Sequence, residues 1–224
     1  DYGRCQFAIM NPELTMTLPP YQTASGCTDI ILHTMERYFI KENNMDITDG
    51  FAESLMRTVM KHTRILMKEP NNYESRAEVM WAGSLSHNDI TGSRSFGDWA
   101  CHQLEHELSG MYKVAHGAGL AAVWGSWARY VYQEQPSRFA QYARNVMGIR
   151  EENDVECALA GIEATEQFFK EIGMPTSIHE MGITLCEEDI RKLAWKCSFE
   201  DERTIGCFKV LKKEDMENIY RIAK

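Results

Sequence analysis

The segment that shows the fold class most clearly is residues 51–66, FAESLMRTVMKHTRIL. Its apolar side chains include pairs three or four residues apart, such as Phe51 with Leu55 and Met56 with Val59, and they continue at Ile65 and Leu66. Because an α-helix places residues three and four apart on one face, this spacing predicts an amphipathic helix. The same spacing continues from Ala24 to the end of the chain, and the strict alternation typical of strands is almost absent. The sequence therefore predicts an all-α fold.

Local signals place the ends of several predicted helices. Thr184 precedes Glu187 by three residues, which is the spacing of a capping box, and Gly173-Met174-Pro175 is typical of a helix end. Together with the apolar spacing, these signals predict helices near residues 24–42, 48–69, 72–87, 98–113, 116–133, 137–147, 153–172, 187–197 and 213–223.

The first 22 residues differ from the rest of the chain. They contain Asn11-Pro12 and Leu18-Pro19-Pro20. Because proline lacks a backbone donor and restricts the residue before it to extended conformations, these positions are predicted to be non-helical. We therefore expect residues 1–22 to form an extended lead-in and residues 23–224 to form one all-helical domain.

Composition restricts the class of protein and its partners. Of the 224 residues, 44% are hydrophobic and 25% are charged, and the formal net charge at pH 7 is -9. This negative charge would repel phosphate backbones and anionic lipid head groups, so neither nucleic acid nor a membrane surface is an expected partner. The sequence shows no long apolar stretch and no signal pattern at residues 1–5, and its seven scattered cysteines are typical of reduced thiols. We expect a cytoplasmic protein.

Histidines and one carboxylate form the most informative pattern. Asp29 and His33 are four residues apart on a predicted helix, as are His102 and His106, and His116 begins the next helix. Because residues four apart project from one face, each pair could direct two ligand atoms to one point. Imidazole with one carboxylate suits zinc or ferrous iron better than calcium or magnesium. The spacing alone does not select among the three later histidines.

The same residues also fit a peptidase motif. Residues 102–106, His-Gln-Leu-Glu-His, match the H-x-x-E-H pattern, in which two histidines bind zinc and Glu105 is the general base. That interpretation needs a further glutamate ligand downstream and leaves Asp29 and His33 unexplained. The candidates for the downstream ligand are Glu163, Glu166 and Glu171.

Residues 117–122, Gly-Ala-Gly-Leu-Ala-Ala, match the G-x-G-x-x-A fingerprint of dinucleotide-binding proteins. The fingerprint binds pyrophosphate only where it follows a strand, and here it follows a predicted helix. We expect these small residues to let two helices approach closely.

Two longer motifs carry a family resemblance. Residues 11–29, NPELTMTLPPYQTASGCTD, continue to His33 and to residues 36–39, and residues 97–109, GDWACHQLEHELS, continue to residues 116–121, HGAGLA. With both motifs the chain closely resembles the iron-containing alcohol dehydrogenases, and most of all their butanol dehydrogenase branch. The similarity extends in order over the whole chain.

The resemblance implies a fold and an incomplete enzyme. Members of the family have an N-terminal α/β domain that binds NAD(H) or NADP(H), followed by an all-helical metal-binding domain of the dehydroquinate synthase-like fold. This chain resembles only the second, so we expect the N-terminal nucleotide-binding domain to be absent and residues 1–22 to be the lead-in from it.

The resemblance also implies roles for single residues. Asp29, His33, His102 and His116 would be the metal ligands, with Fe²⁺ the first expectation and Zn²⁺ or Ni²⁺ as alternatives. His106 would not bind the metal but would face the place where substrate and nicotinamide meet, as part of the proton path.

Two further residues lie near these ligands in the sequence. Trp99 is the tryptophan closest to a ligand and the best candidate for lining the substrate pocket. Glu36 could orient a metal ligand by a hydrogen bond without binding the metal itself, although an ion pair with Arg37 or a neighbouring helix is the favoured interpretation.

The predicted activity of the full-length protein is interconversion of small alcohols and aldehydes with NAD(P), by a homo-oligomer that we expect to be a dimer. The isolated chain is expected to fold but to be inactive. The alternative is a stand-alone helical metal-binding module or an inverted-zincin metallopeptidase.

Overall fold

The computed structural model describes residues 3, 5–41, 45–92 and 97–224. Over these residues the protein is all-α, which confirms the predicted fold class. Its α-helices in chain order are α1 Pro20–Tyr38, α2 Asp46–Leu66, α3 Tyr73–Ser86, α4 Ala100–Tyr112, α5 His116–Val131, α6 Pro136–Asn145, α7 Asp154–Glu171, α8 Glu187–Cys197 and α9 Lys213–Ala223. Short 3-10 helices are Pro12–Thr15, Tyr132–Glu134 and His179–Met181. None of the helices in this part of the chain combines the length and the hydropathy that a transmembrane segment needs.

The N-terminal segment is less extended than predicted. Pro12–Thr15 forms a 3-10 helix, and the Asn11 side chain accepts a hydrogen bond from the backbone N–H of Glu13 at 3.1 Å. Helix α1 begins at Pro20, about four residues before the predicted start. Pro12 and Pro20 each stand in the first turn of a helix, where the missing N–H would have no helical partner anyway. The prediction that these positions are non-helical was therefore wrong for Pro12 and Pro20, and it is confirmed for Asn11, Leu18 and Pro19, which lie outside the helices. Residues 1, 2 and 4 of the lead-in lie outside the described residues.

The helix end predicted at α7 is confirmed, whereas the capping residues predicted for α8 are not the ones that form. Helix α7 ends before Gly173, whose φ of 77° is the left-handed conformation typical of a helix end. The predicted capping box of Thr184 and Glu187 is not the one that forms. The backbone N–H of Cys186 donates to the carboxylate of Asp189 at 3.0 Å, so the box begins two residues later.

Helix α5 is the centre of the fold. It contacts α1, α4, α7 and α9, and its residues 117–128 are all buried. A helix that is apolar on every side is stable only in such a central position. The two tryptophans of α5 are buried, whereas Trp81 and Trp195 are largely exposed.

The glycines of the G-x-G-x-x-A motif serve close packing, as the sequence predicts. A Cβ atom at position 117 would lie 1.9 Å from the backbone oxygen of Ser25 on α1, and one at position 119 would lie 2.6 Å from a carboxylate oxygen of Glu105 on α4. Any larger residue at either position would clash, so the N-terminal end of α5 depends on both glycines for its place between α1 and α4.

A buried ion pair joins three helices away from the histidines. Arg138 of α6 contacts both carboxylate oxygens of Asp49 on α2. Its guanidinium also donates to the backbone oxygen of Tyr38, at the end of α1, at 2.9 and 2.7 Å. Both partners are almost fully buried, so neither charge can be compensated by water if the other is removed.

We predict that Arg138→Met lowers the free energy of unfolding by about 3–5 kcal/mol, because it leaves the Asp49 carboxylate buried and unpaired. Urea denaturation followed by circular dichroism measures the change. The control is Arg64→Met, which breaks a largely exposed pair with Glu171 and should cost about 0–1 kcal/mol. Equal losses in the two variants would contradict the importance of the buried pair.

Candidate metal centre

Three helices bring one aspartate and three histidines together. Helix α1 carries Asp29 and His33 one turn apart, and the distance from Asp29 Oδ1 to His33 Nε2 is 3.6 Å. The same oxygen lies 3.7 Å from Nε2 of His102 on α4 and 3.3 Å from Nε2 of His116, the first residue of α5. One carboxylate oxygen therefore faces three imidazole nitrogens.

These separations fit a shared cation better than direct hydrogen bonds. Ligand bonds of about 2.0–2.1 Å in a tetrahedral site place neighbouring ligand atoms about 3.3–3.4 Å apart, close to the distances observed. Asp29 Oδ1 and His102 Nε2 are buried, and neither has a hydrogen-bond partner among the described residues. Buried polar atoms are rarely left in this state, so the four side chains could hold a divalent ion.

Carboxylates outside this cluster orient two of the histidines. Glu36 of α1 lies with its Oε1 3.0 Å from His102 Nδ1, and the same oxygen accepts the backbone N–H of His102 at 3.0 Å. Glu105 of α4 contacts His116 Nδ1 and also accepts the hydroxyl of Ser109. Because a carboxylate accepts hydrogen bonds, the Nδ1 atoms of His102 and His116 are the donors. In the neutral ring the lone pair is then on Nε2, the atom that faces Asp29.

The contact of Glu36 with His102 decides between two expectations from the sequence. The favoured interpretation allows an ion pair of Glu36 with Arg37 or with a neighbouring helix, and the partner that Glu36 contacts lies on the neighbouring helix α4. The Arg37 guanidinium instead lies 3.0 Å from Asp89 and donates to the backbone oxygen of Ser86 at 2.8 Å. Glu36 is seven residues after Asp29, so both carboxylates face α4 from one side of α1.

The electrostatics of the cluster act differently on its members. Burial would raise the pKa of Asp29, but the facing imidazoles of His102 and His116 outweigh it and hold that pKa well below its usual range. Burial lowers the pKa of His33 to about 3, against the opposing effect of Asp29. Contacts with Asp29 and Glu105 raise the pKa of His116 to about 10, so a metal that binds there must displace a proton.

His106 lies beside the cluster and outside it. Its ring stacks on His116, with centroids 5.4 Å apart and planes at 26°, and it is solvent-exposed. Burial of part of the ring lowers the pKa of His106. In the described part of the chain, Asp29 shares one group of ligand atoms with His102 and His116 and another with His33 and His87, whereas His106 groups with Glu105 and His116.

This arrangement does not match an inverted zincin. The motif requires His102 and His106 to share a metal while Glu105 faces a water, but Glu105 is fully buried against His116 and Ser109. Two candidates for the downstream ligand are bound elsewhere, since Glu166 pairs with Arg129 and Glu171 with Arg64.

Two more rings border the cluster. Trp99, immediately before α4, packs its ring edge-on against His33 and His102, at centroid distances of 5.3 and 5.1 Å. His87, just after α3, was not singled out from the sequence, yet its Nε2 lies 3.8 Å from Asp29 Oδ2. No sequence spacing relates His87 to Asp29, because only the packing of α3 on α1 brings the two residues together.

Comparisons with known proteins identify the family of the chain. The C-terminal model of the Fe-containing alcohol dehydrogenase family matches residues 23–224. NADH-dependent butanol dehydrogenase A of Clostridium acetobutylicum is 34% identical over 99% of this chain and 57% of its own length. NADPH-dependent aldehyde reductase YqhD of Escherichia coli is 38% identical over 79% of this chain and 46% of its own length.

Solved structures show the same fold. The crystal structure of E. coli YqhD superposes with a TM-score of 0.91 at 34% identity, covering 97% of this chain and 55% of that one. NADH-dependent butanol dehydrogenase A from Thermotoga maritima gives a TM-score of 0.88 at 37% identity, covering 95% and 54%. The chain thus spans about half the length of the relatives it matches. It belongs to the Fe-containing alcohol dehydrogenase family, and it corresponds to that family's helical C-terminal region.

Proposed function

We propose that Asp29, His33, His102 and His116 bind a divalent ion, with Fe²⁺ as the first candidate and Zn²⁺ or Ni²⁺ as alternatives. The observation that carries the proposal is Asp29 Oδ1, buried without a hydrogen-bond partner among the described residues and 3.3–3.7 Å from three imidazole nitrogens. Three nitrogens and one oxygen suit borderline transition ions better than calcium or magnesium, which prefer oxygen.

The full-length protein, in this proposal, interconverts small alcohols and aldehydes with NAD(H) or NADP(H). Support comes from relatives named as an NADH-dependent butanol dehydrogenase and an NADPH-dependent aldehyde reductase. Because this chain covers only about half of them, most of the nucleotide-binding residues would belong to an N-terminal α/β domain.

Each part of the site has a separate task. The divalent ion, when bound, supplies positive charge that stabilises negative charge developing on the alcohol or aldehyde oxygen. Glu36 and Glu105 hold the His102 and His116 rings so that their Nε2 atoms face inward. His106, exposed beside His116, is placed to accept or deliver a proton at the open side of the site. The Trp99 ring is an apolar wall for the substrate chain.

Partners and location follow from the same family and from the charge. We propose a cytoplasmic enzyme that acts as a homo-oligomer, most simply a dimer, when full length. The net charge of -9 supports the absence of nucleic acid and anionic membranes from its partners.

The first test separates ligands from neighbouring histidines. We expect Asp29→Ala to lower metal affinity by orders of magnitude, because the site has no spare oxygen ligand, and His106→Ala to retain the metal. Metal per chain after dialysis, measured for both variants, checks this. In the full-length enzyme, His106→Ala should reduce turnover by about 10²–10⁴-fold at unchanged metal content. Metal lost from the His106 variant and kept by the Asp29 variant would revive the peptidase interpretation.

A second test concerns the carboxylate behind His102. We predict that Glu36→Gln weakens metal binding by about 10–100-fold, because the amide is a poorer acceptor for the His102 ring N–H. The matched control is Glu53→Gln, which alters another buried carboxylate that accepts from Tyr38 and Asn145, away from the site. Competition with a chromogenic chelator gives both dissociation constants. Equal weakening in the two variants would mean that the effect is general destabilisation.

A third test asks whether this C-terminal half is active without the N-terminal half of the full-length protein. We expect the 224-residue chain alone to give cooperative unfolding but no butanol-dependent reduction of NAD⁺ or NADP⁺, because it covers only about half the length of its relatives. The full-length protein, purified and loaded with metal in the same way, is the positive control. Ordinary enzymatic turnover by the isolated chain would contradict the expectation.

A further inference from the structure

His87 has the orientation of a metal-binding histidine. It follows directly after α3, and its Nδ1 lies 2.9 Å from the backbone oxygen of Gly83 and 2.7 Å from the Ser86 hydroxyl. A carbonyl oxygen can only accept, so Nδ1 carries the hydrogen and donates it. The neutral ring therefore has its lone pair on Nε2, which is the atom that faces Asp29.

The position of that lone pair matches the other candidate ligands. His87 Nε2 is 3.8 Å from Asp29 Oδ2, and His102 Nε2 is 3.7 Å from Asp29 Oδ1. One ligand atom each from Asp29, His33 and His87 lie within 4.8 Å of one another. The His87 and His33 rings are in contact, with centroids 3.8 Å apart.

The outer contact of His87 is also the one that ligand histidines usually make. Such a histidine donates its second ring N–H to a carboxylate, a backbone carbonyl or a water. His102 and His116 have Glu36 and Glu105, and His87 has the Gly83 carbonyl. The ring of His87 is thus held at a fixed rotation although its side chain is 44% exposed.

We propose that His87 is a fifth protein ligand of the divalent ion, bound through Nε2 on the side of Asp29 Oδ2. This inference rests on the proposed function, because it extends the set formed by Asp29, His33, His102 and His116. A fourth nitrogen strengthens the preference for zinc, nickel or ferrous iron over magnesium and manganese.

The experiment uses Co²⁺ as the probe and two substitutions at one position. His87→Phe keeps a ring against His33 but removes the nitrogen, and His87→Ala removes both. His179→Ala changes an exposed histidine of a distant 3-10 helix and is the control. The visible absorption of the Co²⁺-loaded chain reports coordination number, because four-coordinate tetrahedral Co²⁺ absorbs more strongly than five-coordinate Co²⁺.

We expect both His87 variants to bind Co²⁺ at least about tenfold more weakly than the wild type, with a more intense visible band, and the His179 variant to match the wild type. A His87→Phe variant with wild-type affinity and spectrum would overturn the proposal, because ring stacking alone would then explain the contact. If the wild-type chain binds no Co²⁺, the four-ligand centre itself is overturned. If the wild-type chain binds Co²⁺ and both His87 variants bind it as the wild type does, only the role of His87 is overturned.

Discussion

The site depends on how closely the N-terminal end of α5 approaches α1. Backbone of Ser25 lies against Gly117, where a Cβ would be 1.9 Å from the Ser25 oxygen, and Asp29 is one helical turn further along α1. If the two helices were separated by even one methyl group, His116 could not lie 3.3 Å from Asp29. Gly117 and Gly119, which match the dinucleotide-binding fingerprint in sequence, are thus the residues that allow Asp29 and the histidines to come together.

The candidate ligands and the carboxylates that contact them form a closed chain of contacts through three helices. Glu36 of α1 orients His102 of α4, Glu105 of α4 orients His116 of α5, and His116 returns to Asp29 of α1. Each helix therefore depends on its neighbour for the rotation of a ring. Since both outer carboxylates are buried, a displaced helix would leave a charge or a ring N–H without a partner, which is costly. The positions of the candidate ligands and the packing of the helices are consequently fixed together.

Sequence alone predicted what depends on local pattern. Apolar spacing gave the helices, including α8 and α9 at their observed limits, because one buried face imposes that spacing on any amphipathic helix. The prolines at 12 and 20 were misjudged because proline excludes helix interiors but is favoured in a first turn. Asp29 and His33 could be paired from their spacing, but the choice among His102, His106 and His116 needed the family resemblance. The role that this resemblance implies for each residue is still a prediction.

The contacts that could not be predicted from the spacing of residues along the chain all join different helices. Glu36 looks like a partner for Arg37 in sequence, yet adjacent residues on a helix point to different faces, so Glu36 turns to α4 while Arg37 turns to α3. His87 is a lone histidine at the end of α3, and its relation to Asp29 arises from the packing of α3 on α1. Its ring rotation, by contrast, is local, since the Gly83 carbonyl that fixes it is four residues earlier on the same helix. A histidine four residues after a glycine near a helix end can thus be oriented by its own helix, while tertiary packing decides whether a ligand cluster lies in front of it.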